Sequence, residues 1–147
     1  QHGAPWYEKY AFRGQVRHVL NGFLSSLLGL ADLARALDDA AAKDRFERGI
    51  EALLDERTLR AFDIGYATLY ALGAGRRTTP AGVFYTWVHA RQLAGLARLT
   101  NAQRLWSTAE RWRDYLRKKR YRVRSSTDCM LFRVQRLPTY IERALSS

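Results

Sequence analysis

Apolar residues recur along most of this chain at the spacing of a helix, and the pattern divides the chain into segments. Between residues 21 and 37 they fall every three or four positions through Leu33 and Leu37, which predicts a helix with a broad buried face. A narrower stripe around Ile50 predicts a second helix, with Asp39 as its N-terminal cap. We expect these two helices to pack as an antiparallel pair.

The pattern changes in the middle of the chain. Residues 62–72 alternate around Gly65, which predicts short extended segments followed by a loop over 73–82. Residues 84–99 return to helical spacing, and Thr100 or Asn101 is predicted to cap a fourth helix. The inner face of that helix is expected to hold Leu105, Ala109, Trp112 and Leu116. Helical hairpins with short connections are typical of an all-α toroid, here with a short β-hairpin insertion.

The last part of the chain has no comparable pattern. Residues 120–147 contain a serine pair, Pro138 and a weak helical signal at 139–145, so they are predicted as a basic C-terminal tail of unknown role. Residues 1–100 hold 13 Lys/Arg against 10 Asp/Glu, whereas residues 101–147 hold 12 against 4. Such a concentration of positive charge favours polyanions, whether acidic glycans, nucleic acid or acidic membranes.

Size and composition limit the classes of protein to which the chain could belong. A chain of 147 residues with 47% hydrophobic content can form one domain with a core. Its single cysteine, Cys129, excludes an internal disulfide, and no Cys/His spacing indicates zinc. The longest apolar run is interrupted by Asn21, Asp32 and Arg35, and the N-terminus lacks a signal-peptide pattern. Because Gln1 is not an initiator, we expect the chain to be the C-terminal portion of a longer protein or a processed product.

Proton-transfer groups and cations concentrate between residues 63 and 93. Tyr70 and Tyr85 are separated by a loop that contains Arg76 and Arg77, and His89 follows Tyr85 by four residues. Neighbouring cations lower the pKa of a phenol from its ordinary value of about 10, so this combination suits acid–base chemistry on an anion. The segment is therefore a candidate site.

Five short motifs occur in a fixed order along the chain. They are Leu-Asn-Gly-Phe at 20–23, Phe-Glu-Arg-Gly at 46–49, Asp-Ile-Gly at 63–65, Thr-Leu-Tyr-Ala-Leu at 68–72 and Tyr-Thr-Trp-Val-His-Ala-Arg-Gln-Leu at 85–93. In order and approximate spacing they resemble the C-terminal domain of the D-glucuronyl C5-epimerases, and Trp-Tyr-Glu-Lys-Tyr at 6–10 resembles a further pattern of that family. The resemblance implies an (α/α) barrel-like domain, over residues 1–119, at the C-terminal end of a larger enzyme.

The resemblance also implies catalytic residues. The three catalytic tyrosines of the family fall on Tyr10, Tyr70 and Tyr85. Our hypothesis is that two of them form an acid–base pair and that the third orients the carboxylate or the intermediate. The sequence does not decide which two.

Four further residues are substrate-binding candidates. His89 aligns with a histidine of the family motif and is expected either to contact the substrate or to be a structural histidine. Arg76 or Arg77 could hold a carboxylate or sulfate through a bidentate contact, or both could be solvated loop charges. Asn21 is a binding candidate whose simpler interpretation is a helix start.

Inversion at C5 of a glucuronate residue requires removal of the C5 proton and its return to the opposite face. Two acid–base groups must flank the ring, and positive charge must stabilise the carbanion delocalised into the carboxylate. This route needs no cofactor and no metal. The expected partner is a uronate-containing polysaccharide of the heparan type or a related one, with no nucleic-acid or membrane contact. The resemblance implies a possible homodimer and, for an animal enzyme, the Golgi lumen, while the Ala-, Arg- and Leu-rich composition favours a bacterial source.

Two alternatives to an active epimerase stay open, and departures from the family pattern favour the first of them. Thr86, Ala71, Phe84 and Arg91 stand where the family commonly has His, Asp, Asp and Asn. The first alternative is a catalytically inactive carbohydrate-binding relative. The second is a basic helical module that binds nucleic acid, although no helix-turn-helix or stacking motif favours it. The basic residues 117–124 are predicted as a solvated surface rather than a glycan groove.

Overall fold

The computed structural model describes residues 5–8, 17–73 and 78–138, and within them the chain forms six helices and a small antiparallel sheet. In chain order the elements are β1 (Arg17–Val19), α1 (Leu20–Leu37), α2 (Ala40–Leu54), α3 (Glu56–Ala61), β2 (Leu69–Gly73), β3 (Thr79–Pro80), α4 (Gly82–Thr100), α5 (Gln103–Arg117) and α6 (Lys119–Val134). The predicted all-α class with a short β insertion is confirmed. Closure of the helices into a toroid stays a prediction.

The core lies between α1, α2, α4 and α5, and α1 packs against both α2 and α4. Leu20, Phe23, Leu24 and Leu27 of α1 recur at helical spacing and are fully buried. Leu30 is partly buried and packs against the core, but the predicted stripe is wrong at Leu33 and Leu37, which are 41% and 70% exposed. The C-terminal end of α1 therefore lies outside the core.

The helix ends are set by local side-chain chemistry. Asp39 caps α2 as predicted, because its carboxylate accepts hydrogen bonds from the backbone N–H groups of Ala41 and Ala42 at 2.8 and 3.0 Å. The predicted cap of the fourth helix is wrong. Asn101 instead ends α4 in the left-handed region at φ 52°, a conformation that Asn tolerates better than most residues.

Two helices were not predicted. The six-residue α3 starts at Asp55, whose carboxylate accepts a hydrogen bond from the Arg57 backbone N–H at 2.8 Å. The basic segment that begins at Lys119 forms α6 rather than an irregular tail. Its one buried residue is Ser125, so no apolar stripe marks this helix in the sequence. The predicted weak helix at 139–145 lies outside the described residues.

The sheet brings the start of α1 close to the lead into α4. Its order is β1-β2-β3, both pairs are antiparallel, and Val19 pairs with Ala71 while Leu69 pairs with Pro80. Before β2 the chain turns at Gly65, whose φ of +79° favours glycine. The predicted extended segments are thus a turn followed by one strand.

Candidate active site

The candidate site forms where one face of β2 meets one face of α4. Thr68 lies directly before β2, and Tyr70 is the second residue of that strand. Both side chains contact α4, because Thr68 bonds to Thr86 and His89 and the Tyr70 ring packs against that of Tyr85. Tyr85 and His89 are four residues apart on α4 and share one side of the helix. The packing of this segment on α4 therefore brings two phenols, a hydroxyl and an imidazole together.

Tyr70 and Tyr85 contact each other directly. Their ring centroids are 4.6 Å apart with an interplanar angle of 68°, an edge-to-face arrangement at the short end of the usual range. Both side chains are half-buried, so neither is sealed in the hydrocarbon core. The two residues that the sequence singled out on either side of a loop thus meet at one half-open position.

His89 lies behind this pair, with none of its surface exposed. Its Nδ1 is 2.8 Å from Thr68 Oγ1, and its ring centroid lies 6.3 Å from that of Tyr85 and 6.4 Å from that of Trp112. Burial lowers the pKa of His89 to about 3, so the imidazole is neutral near pH 7. Its Nε2 has no hydrogen-bond partner among the described residues. A substrate contact by His89 stays a prediction.

A buried polar network that the sequence analysis missed ties β2 to α4. Thr86 Oγ1 accepts hydrogen bonds from the backbone N–H and the hydroxyl of Thr68, both at 3.2 Å. Thr86 and Thr68 are almost fully buried. Since Thr68 also contacts His89, three polar side chains fix the strand against the helix beside the tyrosines.

Asn21 lies in the first turn of α1, but its side chain does not cap the helix. It connects to α4 through Gln92, whose Nε2 donates to the Asn21 backbone carbonyl at 3.2 Å and to Ser25 Oγ at 2.7 Å. The amide oxygens of Asn21 and Gln92 are buried and lack a partner within the described part of the chain. These oxygens are free acceptors at the end of α1 nearest the sheet.

Three of the predicted site residues lie outside the described residues. They are Tyr10, Arg76 and Arg77. Among the described residues on either side of Tyr10 in the sequence, the Trp6 ring stacks on Phe23 at 4.1 Å and Glu8 Oε1 lies 2.7 Å from His18 Nδ1.

Asp63 is a structural centre whose importance the sequence analysis missed. Its carboxylate is 11% exposed and accepts hydrogen bonds from Arg111 Nε at 3.0 Å, Trp112 Nε1 at 3.0 Å, the Tyr115 hydroxyl at 2.9 Å and the Gly65 backbone N–H at 2.9 Å. Burial, together with the charge of Asp63, raises the pKa of Tyr115 to about 12. The sequence did carry a signal for this cluster. It is the Asp-x-Gly turn at 63–65, followed later by Trp112 and Tyr115, two aromatic residues with polar tips that lie three positions apart.

Other features of the described residues do not add chemistry to the site. An open cavity of about 470 Å³ lies between α3 and α5, and neither tyrosine lines it. No cluster of three metal-ligating side chains occurs in residues 5–8, 17–73 and 78–138. In the same residues, none of the helices has the length and apolar character needed to cross a membrane.

The fold and site define an all-α domain in which a short sheet holds one tyrosine against another on a helix. Residues 1–114 match the family described as D-glucuronyl C5-epimerase C-terminus. The chain is 32% identical over 133 residues to a D-glucuronyl C5-epimerase of Caenorhabditis elegans, an alignment that covers 80% of this chain. The chain therefore belongs to the D-glucuronyl C5-epimerase C-terminal family. It spans about a fifth (21%) of the length of that relative.

Proposed function

We propose that this chain contributes the tyrosine-bearing domain of an enzyme that inverts C5 of D-glucuronate residues in a heparan-type or related polysaccharide, without a cofactor. Family membership and the name of the nematode relative support an epimerase. The observation that carries the proposal is the contact between Tyr70 and Tyr85 at a half-open position. Two phenols there supply proton-transfer groups where a sugar can reach them.

The contact between the two rings restricts which catalytic roles Tyr70 and Tyr85 can take. Rings whose centroids are 4.6 Å apart leave no space for a sugar ring between them. Tyr70 and Tyr85 therefore belong to one wall of the site. The second acid–base group must come from the opposite wall, and Tyr10 is the residue we propose for it.

Contacts of the described residues that flank Tyr10 in the sequence support this assignment. The contact between Glu8 and His18 ties the two ends of the segment that contains Tyr10. His18 belongs to β1, where it pairs with Leu72 of β2, two residues from Tyr70. Arg76 and Arg77 follow the same strand in the sequence, and we propose that they offset the negative charge that develops on the carboxylate.

We propose a positioning role for His89. A neutral imidazole cannot offset the charge of a carboxylate as an arginine can. Through Thr68 it instead holds β2 and α4 in register, and this register sets the contact between Tyr70 and Tyr85.

Solvent-hydrogen exchange tests the proposed activity. The intact protein is incubated with a heparosan-like polymer in D₂O, and deuterium at C5 is measured by NMR or mass spectrometry. We expect deuterium at C5, because the hydrogen returned to C5 comes from solvent. We also expect some iduronate, because reprotonation on the opposite face inverts C5. Saturable binding without any C5 label would contradict the proposal and favour the inactive carbohydrate-binding relative.

A further inference from the structure

Two large aromatic side chains at the start of α4 face solvent beside the candidate site. Phe84 is 64% exposed and Trp87 is 44% exposed. Phe84 directly precedes Tyr85 in the sequence, and Trp87 follows Tyr85 by two residues. Adjacent exposed aromatic side chains of this size often mark a binding surface.

The rings of Phe84 and Trp87 form a row with those of the two tyrosines, in which each ring contacts the next. The Phe84 centroid lies 5.3 Å from that of Tyr85 and 6.1 Å from that of Trp87. The guanidinium carbon of Arg91 lies 4.9 Å from the centre of the Trp87 ring. The row therefore runs from the candidate catalytic position across the outer face of α4 and ends at a cation.

Arg91 is available to an anionic ligand. Its side chain is exposed, and it takes part in no ion pair with the described acidic residues. A guanidinium group that lies over an aromatic face keeps its N–H groups at its edges, where they can bind a carboxylate or sulfate bidentately.

We propose that Phe84, Trp87 and Arg91 form a subsite for a pyranose ring of the same acidic polysaccharide, next to the uronate that contacts Tyr85. The apolar C–H face of the sugar packs on the Phe84 and Trp87 rings, and Arg91 binds its carboxylate or sulfate. This inference rests on the proposed function for the identity of the polymer. Continuity with the tyrosine pair and the uncompensated charge of Arg91 favour a saccharide over an apolar protein segment as the occupant.

Binding of size-defined heparosan oligosaccharides to the intact protein tests the subsite. We compare Trp87→Ala, Phe84→Ala and Arg91→Gln with a matched control, Trp106→Ala. The guanidinium carbon of Arg98 lies 5.6 Å from the centre of the Trp106 ring. The control therefore removes a second Arg–Trp pair, which joins the end of α4 to the start of α5.

The subsite predicts a dependence on chain length. For an octasaccharide, Trp87→Ala and Phe84→Ala should each weaken binding about tenfold, the scale of one aromatic contact, and Arg91→Gln should also reduce the salt dependence. The shortest oligosaccharide that binds should be unaffected. Trp106→Ala should bind both ligands like the unsubstituted protein.

The outcomes separate this inference from the proposed activity. C5 exchange with unchanged octasaccharide affinity in all three variants would overturn the subsite and leave the activity standing. Length-dependent loss of binding without C5 exchange would support the subsite and overturn the activity. A large drop in melting temperature with unchanged affinity would identify the aromatic surface as a protein-packing face, and would also overturn the subsite. A wild-type protein that binds no heparosan chain would contradict both.

Discussion

His89 should make the protein less stable in mild acid. Its side chain is fully buried, and burial lowers its pKa from the ordinary 6.5 to about 3. Between these pH values the unfolded chain binds a proton that the folded chain does not. The free energy of unfolding should therefore decrease as the pH falls through this window, and the contribution is absent above about pH 6.5.

The size of the effect follows from the pKa difference. A pH of 5 is about 1.5 units below the pKa of the imidazole in the unfolded chain, whereas the imidazole of the folded chain is still neutral at this pH. Each unit corresponds to about 1.4 kcal/mol, so protonation of the unfolded chain should lower the free energy of unfolding by about 2 kcal/mol relative to pH 7.5.

Urea denaturation of the wild type and His89→Gln at pH 7.5 and pH 5 measures this effect. Other groups titrate in both proteins, so the relevant quantity is the stability difference between them. That difference should shift by about 2 kcal/mol in favour of the variant at pH 5. Leu93→Ala is the control, because it removes a fully buried, non-titrating side chain from the same helix and should cost about 2–5 kcal/mol at both pH values.

A stability difference that does not change with pH would refute this reasoning. It would mean that solvent reaches the His89 ring in the native protein. His89 could then be protonated and contact a substrate carboxylate directly, as the sequence alone allowed.

Three further predictions, which use four substitutions, test the packing of the domain. Asp63→Ala should lower the free energy of unfolding by roughly 3 kcal/mol, because the buried donors of Trp112 and Tyr115 lose their acceptor. Urea denaturation at pH 7.5 measures this loss, and a value under about 1 kcal/mol would count against a stabilising role for the hydrogen bonds to Asp63. Because the pKa of Tyr115 is raised to about 12, wild-type stability should decrease between pH 10 and 12, and Tyr115→Phe should remove that part of the pH dependence. Gly49→Ala should lower stability by roughly 1–2 kcal/mol, because its new Cβ would lie 2.2 Å from a methyl group of the buried Leu27. Gly29→Ala should raise stability by about 0.5–1 kcal/mol, because its new Cβ would meet no atom within 4 Å beyond the neighbouring backbone of its own helix. Equal effects of the two substitutions on the melting temperature would contradict this packing.

Helical periodicity in the sequence was sufficient to find the helices that bury an apolar face. The helices α1, α2, α4 and α5 all have such faces, and all were predicted. It could not find α6, which is held by polar contacts such as the hydrogen bond from the Tyr66 hydroxyl to Asp128 and the weak one from Cys129 Sγ to the Pro80 carbonyl. The role of Asn101 was misassigned because Asn favours both helix starts and left-handed helix ends.

The candidate site was predictable only in part, for a related reason. Strand and helix periods indicate that Tyr70 shares a face with Thr68, and Tyr85 with His89. The contact between the two tyrosines depends on how β2 packs against α4, which local patterns do not determine. The role proposed for them came from the resemblance to the epimerases, and the composition of the sequence could not have supplied it. The hydrogen bonds that converge on Asp63 arise between segments about 50 residues apart, beyond the reach of any local pattern.

We propose that Tyr70 and Tyr85 form one catalytic wall, and C5 exchange in Tyr→Phe variants is the decisive experiment for this arrangement. Deuterium incorporation from D₂O is measured for Tyr70→Phe, Tyr85→Phe and a control, Tyr121→Phe, whose half-buried ring packs against Tyr115. We expect at least one of the two wall variants to lose exchange by about 10²–10⁴-fold, while the control stays close to wild type. Exchange at the wild-type rate in both wall variants would contradict it.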